Sequence, residues 1–312
     1  MTHLRKPCRM ETQMKTIRLG VIGLSPGNGH PYSWSAICNG YDHLEMERCG
    51  FPVIPRYLEK QRFPEDRIPL VEVSHVWAQD AHIANHIAKA ALIPNVSEDP
   101  TDMIGAVDGV LLARDDGENH LHYALPFLEA GVPIYVDKPL ALSRRDAETM
   151  YAAQHYAGQL FSCSALRYAN EFMLSHDDHL HLGTIRAIHA MTPKSWDKYS
   201  VHVIEPALNL IPDRGAILTS NAWANNGTQT LSVVYESGVQ LHVHAAGDIA
   251  APLSIRVIGT SGWKDLSFRD TFSAFKSALE AFIQSVRERR PVIEESFTLE
   301  VVDLIEAGRE SN

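Results

Sequence analysis

From Lys15 to Leu166 the chain alternates short apolar runs with stretches of helical periodicity. Few folds accept that rhythm. Strands separated by helices pair in parallel, and a parallel sheet needs helices on both faces. Residues 15–24 read as the first strand, followed by the loop Ser25-Pro26-Gly27-Asn28-Gly29-His30 and a short helix from about Ser33 to Cys38. Leu70–Trp77 and Val107–Ala113 read as further strands. A helix from Asp80 to Leu92 is marked by Ile83, Ile87 and Ala91, and a second, Leu121–Ala130, is closed by Gly131. Gly131–Val136 and, after a helix beginning near Ser143, Leu160–Leu166 complete the set. Right-handed crossovers gather the strand ends at Gly23, Trp77, Ala113 and Asp137 along one edge. Ligands of open α/β sheets bind at that edge.

The second half has a different rhythm. Strand runs at Thr184–Met191, Ala216–Ala224, Thr228–Tyr235, Val239–Ala246 and Ser254–Ile258 follow one another, with a hairpin turn at Glu236-Ser237-Gly238. Helices close the chain at about Thr271–Arg289 and Leu299–Ala307. The fold class is therefore α/β: a doubly wound parallel sheet over 15–165, then an α+β domain with a largely antiparallel sheet over 166–312.

Two motifs sit at the ligand edge. Asp137-Lys138-Pro139 ends an apolar strand, which places the Lys138 ammonium in the cleft, where it can serve proton chemistry. The glycine loop departs from G-x-G-x-x-G spacing, because Ser25 and Asn28 stand where glycines are wanted while Gly27 and Gly29 lie alongside. With Gly23 it reads as a rebuilt cradle, offering backbone N–H groups and a helix end to a pyrophosphate.

With 312 residues the chain can bury two domain cores, and a net charge of −10 argues against a nucleic-acid partner. Nothing approaches a membrane-spanning apolar run. Cys8, Cys38, Cys49 and Cys163 lack metal or redox spacing and read as reduced thiols of a cytoplasmic protein. Met1–Met14 reads as a disordered leader, with Met14 as an alternative start. Cys49–Pro69 is a proline-rich excursion carrying Arg56, Tyr57, Lys60, Arg62 and Arg67, read as a surface loop or as a flap over a cofactor or an anionic substrate. His176–His181 is taken as a solvated loop rather than a metal site, and His242 and His244 as lining one strand face.

The chain resembles the glucose–fructose oxidoreductase / myo-inositol dehydrogenase family over nearly its whole length. The resemblance is carried by Gly20–Leu24, Ala113–His120, Val136–Ala141 and Val201–Glu205, with Val257–Gly262 similar to the family's edge strand and turn. It implies a Rossmann-like first domain and NAD(P)-linked oxidation or reduction of a hydroxyl or carbonyl on a small-molecule sugar or cyclitol. It also implies a homo-oligomer, dimer or tetramer, using the open face of the second sheet. Lys138 would contact the substrate oxygen and His202 would act as acid/base.

Departures accompany the likeness. The family's D-x-G-x-H-x-x-D appears as Lys198 to Glu205, so Glu205 is expected to orient His202 from i+3, with Asp197 as a displaced carboxylate. Lys198 is expected to depress the imidazole's pKa. The usual acid after the second strand is replaced by Trp77, expected to stack on adenine, with Asp80 reaching the ribose. No Arg follows closely, which favours NAD while leaving NADP open. The cofactor set is completed by Gly23, Ser25, Gly27, Asn28, Gly29, Ala113, His120 and Asp137; Arg167, Tyr168, Lys198, Tyr199 and Glu205 are assigned to substrate, and no metal is assigned. An NAD-using lyase or glycosidase and a non-catalytic nucleotide-binding regulator remain the alternatives.

Overall fold

The computed structural model describes residues 15–309; the expected leader, 1–14, lies outside them. Six parallel strands form the first sheet: β1 (Ile17–Gly23), β2 (Val71–Ala78), β3 (Asn95–Val96), β4 (Gly109–Leu112), β5 (Ile134–Val136) and β6 (Leu160–Phe161). Their order, β3-β2-β1-β4-β5-β6, is that of a doubly wound Rossmann-like sheet with its switch point between β1 and β4. β1 is central and nearly continuous in apolar residues, since both faces are covered.

The second sheet has the order β12-β11-β7-β10-β9-β8, with β7 (Ile185–Thr192), β8 (Ile217–Asn225), β9 (Thr228–Tyr235), β10 (Gln240–Ala245), β11 (Ser254–Gly259) and β12 (Trp263–Ser267). All pairings are antiparallel except β7 with β10. One face buries Ile188, Leu231, Val233, Leu241, Val243, Ile255 and Val257. His242 and His244 share the opposite face, where they meet the hydroxyls of Ser232 and Thr230, each at 2.8 Å.

Several local expectations are corrected. The first helix begins at His30 rather than Ser33, because Pro31 is suited to a first turn. The final strand of the first sheet stops at Phe161: Ser164 takes the N–H of Leu166 and turns the chain into the 3₁₀ segment Ala165–Tyr168. His176–Leu182 is a helix, not a loop, since Ser175 and Asp178 form a reciprocal capping box. β12 has little apolar periodicity because it is an exposed edge, held to β11 by an Arg256–Asp265 pair at 2.6 Å.

The excursion is neither a loop nor detached. It contains a short helix, Val53–Leu58, whose Ile54, Tyr57 and Leu58 are buried, and follows another, His43–Glu47, that buries Met46. It folds back on the helix His30–Asn39, with the Tyr57 hydroxyl donating to Ser33, and Phe51 and Ile54 resting where a side chain at Gly29 would stand.

The last helix, Glu295–Arg309, crosses the ring of Trp196, whose indole N–H donates to the Ile305 carbonyl at 2.8 Å. Gly308 faces that ring so closely that a Cβ would overlap it. Ala ordinarily favours a helix over Gly. Gly308→Ala should here destabilise instead, by about 1–3 kcal/mol through overpacking. Urea unfolding of the two proteins checks the sign, and a more stable Ala variant would refute the packing argument.

Candidate active site

A cavity of about 300 Å³ opens where the strand ends of the first sheet meet the second domain. Lys138, His202, Tyr199, Gly27, Asn28 and Gly29 all line it, so residues assigned from three separate stretches of sequence converge.

Lys138 follows β5 in a tight turn and is only 4% exposed. A buried ammonium needs a counter-charge. Asp115, at the end of β4, supplies it at 3.8 Å, and the Lys198 carbonyl accepts at 3.4 Å. Asp115 also takes the Lys198 ammonium at 3.0 Å and the Ser25 hydroxyl at 2.7 Å. Burial would raise this carboxyl, but Lys138, Ser25 and Lys198 outweigh it and hold it below the usual range. The Asp115 N–H returns to Ser25 Oγ at 3.0 Å, tying the glycine loop to the lysine pair.

His202 lies on the helix Val201–Asn209, and its Nδ1 meets Ser164 Oγ at 2.8 Å. Burial, then the charges of Lys138, His30 and Lys194, hold the imidazole well below its ordinary 6.5. The depression expected from sequence is present, but Lys198 is not its source, because that ammonium is spent on Asp115. Glu205 does not orient the ring either. Its carboxylate turns to the backbone N–H of Ser164, so serine stands between acid and imidazole. Asp197 pairs with Arg309 at 3.1 Å, away from the cavity. Tyr199 packs beside His202 at 5.2 Å between centroids and takes a hydrogen bond from Lys194 at 2.5 Å.

The loop before the first helix is held by acid side chains. Asp137, 1% exposed, receives Asn28 Nδ2 at 2.9 Å, His30 Nδ1 at 2.5 Å and the Lys138 N–H. Gly27 has φ of +84° and nothing within 4 Å of a Cβ position, so its backbone is open to close approach. Gly23 is required where the helix meets the strand, because a side chain there would strike Pro31. The phosphate end of a dinucleotide fits this loop, with Gly27, Asn28 and Gly29 as the residues that would hold it.

The adenosine end differs from expectation. Trp77 donates its indole N–H to the Glu98 carbonyl at 3.1 Å and packs on Tyr123, while Asp80 caps the helix Ala81–Ala90 through His82 and Ile83. Between β1 and β2 lies Gln79, which accepts from the Leu24 N–H and donates to its carbonyl; Arg114 joins Gln79 at 2.9 Å and Asp116 at 2.6 Å. His120 is also withdrawn from the cavity. It is fully buried, with Nδ1 on the Leu140 carbonyl and Nε2 on that of Arg114, and braces the turns after β4 and β5. Ala113 directly follows β4 and donates its N–H to the Ile22 carbonyl.

Arg167 and Tyr168 do not face the cavity. The guanidinium lies 4.2 Å from the centroid of Phe297, and the pair borders Glu205 behind the site. Residues missed from sequence are Asp115, Ser164, His30 and Lys194. Asp115 alone carried a signal, as an acid in the turn at a strand's carboxyl end.

The first domain has a Rossmann-like sheet with a cavity at its strand ends. Residues 17–164 match the model of an oxidoreductase family with an NAD-binding Rossmann fold, GFO_IDH_MocA. Over those residues, the first domain and just under half of the chain, the protein is similar to the glucose–fructose oxidoreductase / myo-inositol dehydrogenase family. Comparison with curated proteins finds no match. Among solved structures the chain is similar to apo scyllo-inositol dehydrogenase from Lactobacillus casei, with TM-score 0.73 and 16% identity over 95% of this chain and 96% of that one. It is similar to GenD2 from gentamicin A biosynthesis in complex with NAD, with TM-score 0.70 and 16% identity over 99% and 97%. UDP-N-acetylglucosamine 3-dehydrogenase GnnA from Acidithiobacillus ferrooxidans gives TM-score 0.69 and 14% identity over 95% and 97%. At these identities the likeness shows the fold, through both domains. Among the described residues no helix is long and apolar enough to cross a membrane.

Proposed function

We propose that the protein interconverts a hydroxyl and a carbonyl on a sugar or sugar derivative, with Lys138 and His202 as the catalytic pair and NAD as cofactor. The observation that carries this reading is that both side chains line one cavity together with the glycine loop. Bound NAD supplies the acceptor or donor of the hydride. The chain's own residues handle the proton and the oxygen. Lys138, its charge balanced by Asp115, polarises the substrate oxygen where negative charge develops. His202, held at Nδ1 by Ser164, presents Nε2 to the hydroxyl and takes its proton in oxidation, returning it in reduction. Neutral imidazole is the form required for oxidation, and burial, with the surrounding cations, favours it.

The test has a binding arm and a pH arm. Calorimetry with oxidised and reduced NAD and NADP should show NAD(H) bound, with the mutant Gly27→Val weakened. Failure of all four to bind would overturn the proposal. With a turned-over alcohol, the acid limb of kcat/KM should fall below 6.5, since the base stays deprotonated below its ordinary range. An acid limb at or above the ordinary imidazole value would remove His202 as the base.

A further inference from the structure

The cavity has two chemically different sides. One carries Lys138, His202, Asp115 and Tyr199. The rest of the lining is dominated by rings, Phe51 and Tyr57 of the excursion and Phe268 and Phe275 of the second domain, joined by Ile54, Leu166 and Leu253, with Ser33, Lys194 and Thr271 as its polar members. Phe275 stands edge-on to His30 at 5.0 Å and to Tyr57 at 6.5 Å. Among the rings, the Tyr57 hydroxyl is spent on Ser33. None of the excursion's cations, Arg56, Lys60, Arg62 and Arg67, lines the cavity; Arg62 pairs with Asp66, and Arg67 donates to the Asn39 carbonyl. The excursion therefore walls the cavity without offering the charge an anionic substrate would need.

A bare polyol carries hydroxyls around its whole rim, and each one pressed against such a wall loses its partner in water without gaining another. Aromatic walls instead favour flat apolar groups, through buried area and edge-to-face packing. We infer that the substrate is amphipathic: a hydroxyl-bearing ring joined to an aromatic or comparably bulky apolar group. The reacting hydroxyl lies at Lys138 and His202, and the apolar group rests against Phe51, Phe268 and Phe275. This rests on the assignment of Lys138 and His202 as the reacting end.

The experiment compares unsubstituted hexoses and inositols with phenyl glycosides of the same hexoses, by NAD-dependent turnover and, separately, by calorimetric binding to the NAD-loaded protein. Phenyl glycosides should be preferred by roughly 10–100-fold in kcat/KM or in affinity. That preference should shrink in Phe275→Ala and also in Phe275→Leu, which keeps an apolar side chain if the Ala variant fails to fold. Turnover of unsubstituted sugars equal to or better than that of phenyl glycosides overturns the inference and leaves the catalytic reading standing. Phenyl glycosides that bind tightly without turnover uphold the aromatic wall as the seat of an apolar group and overturn the catalytic reading, and with it the placement of a reacting hydroxyl at Lys138 and His202. If neither group binds or turns over, the inference is overturned.

Discussion

Replacing Lys138 with Met is expected to lower kcat by about 10²–10⁴-fold while leaving NAD affinity within a few-fold of the parent. Methionine fills nearly the same volume, so the turn after β5 survives, but Asp115 keeps Lys198 as its one remaining cation beside the Ser25 hydroxyl. His202→Ala should fall in the same range. Because both groups act on one oxygen, the double variant should lose far less than the product of the two single losses. Single-turnover rates and calorimetric Kd values for the three variants separate chemistry from binding. Full multiplicativity would mean that the two side chains serve different steps. Unchanged kcat in His202→Ala would take it out of the chemistry.

Much of the first domain could be read in advance because a parallel sheet writes itself into sequence twice. Its strands are largely apolar, as in β1 and β4, and its helices repeat at three and four residues, as in Ile83 and Ile87. Misplaced boundaries fall where one side chain overrides periodicity. Ser164 ends the last strand by capping, Pro31 starts a helix early, and Ser175 with Asp178 turns a histidine-rich stretch helical. The excursion was opaque for another reason. Its prolines rule out long elements, but nothing local says that Phe51 and Tyr57 fold back over the glycine loop.

The site was legible where backbone geometry places a residue and illegible where a side chain chooses a partner. Lys138 is delivered to the cleft by β5, and His202 by its helix. Glu205 illustrates the opposite case: spacing put it on the histidine's face, yet a backbone N–H at Ser164 was the nearer donor. Likewise Asp80 found the start of its own helix before any ribose, and His120 found two carbonyls. Asp115 gained its role because two lysines, distant in sequence, both reach it in the folded chain.

Glu205 also gives the protein a pH-dependent stability. The carboxyl is buried behind the site, and that burial, only partly offset by Arg167 and the Ser164 N–H, raises it from 4.5 to about 7. The folded state therefore holds a proton that the unfolded chain releases at lower pH. Where the folded form binds more protons, stability falls as pH rises. The contribution of this group is fully present below its unfolded value, declines between about 4.5 and 7, and levels off above. A shift of this size corresponds to a few kcal/mol at most. Glu205→Gln keeps the shape without the charge, although its amide must accept the Ser164 N–H through the carbonyl oxygen. The variant should lose the slope between those pH values and match or exceed the parent in stability above pH 7. Urea unfolding at a series of pH values decides the matter. Parallel curves for parent and variant across the window would mean that Glu205 is ionised in the folded protein, with Arg167 as its counter-charge.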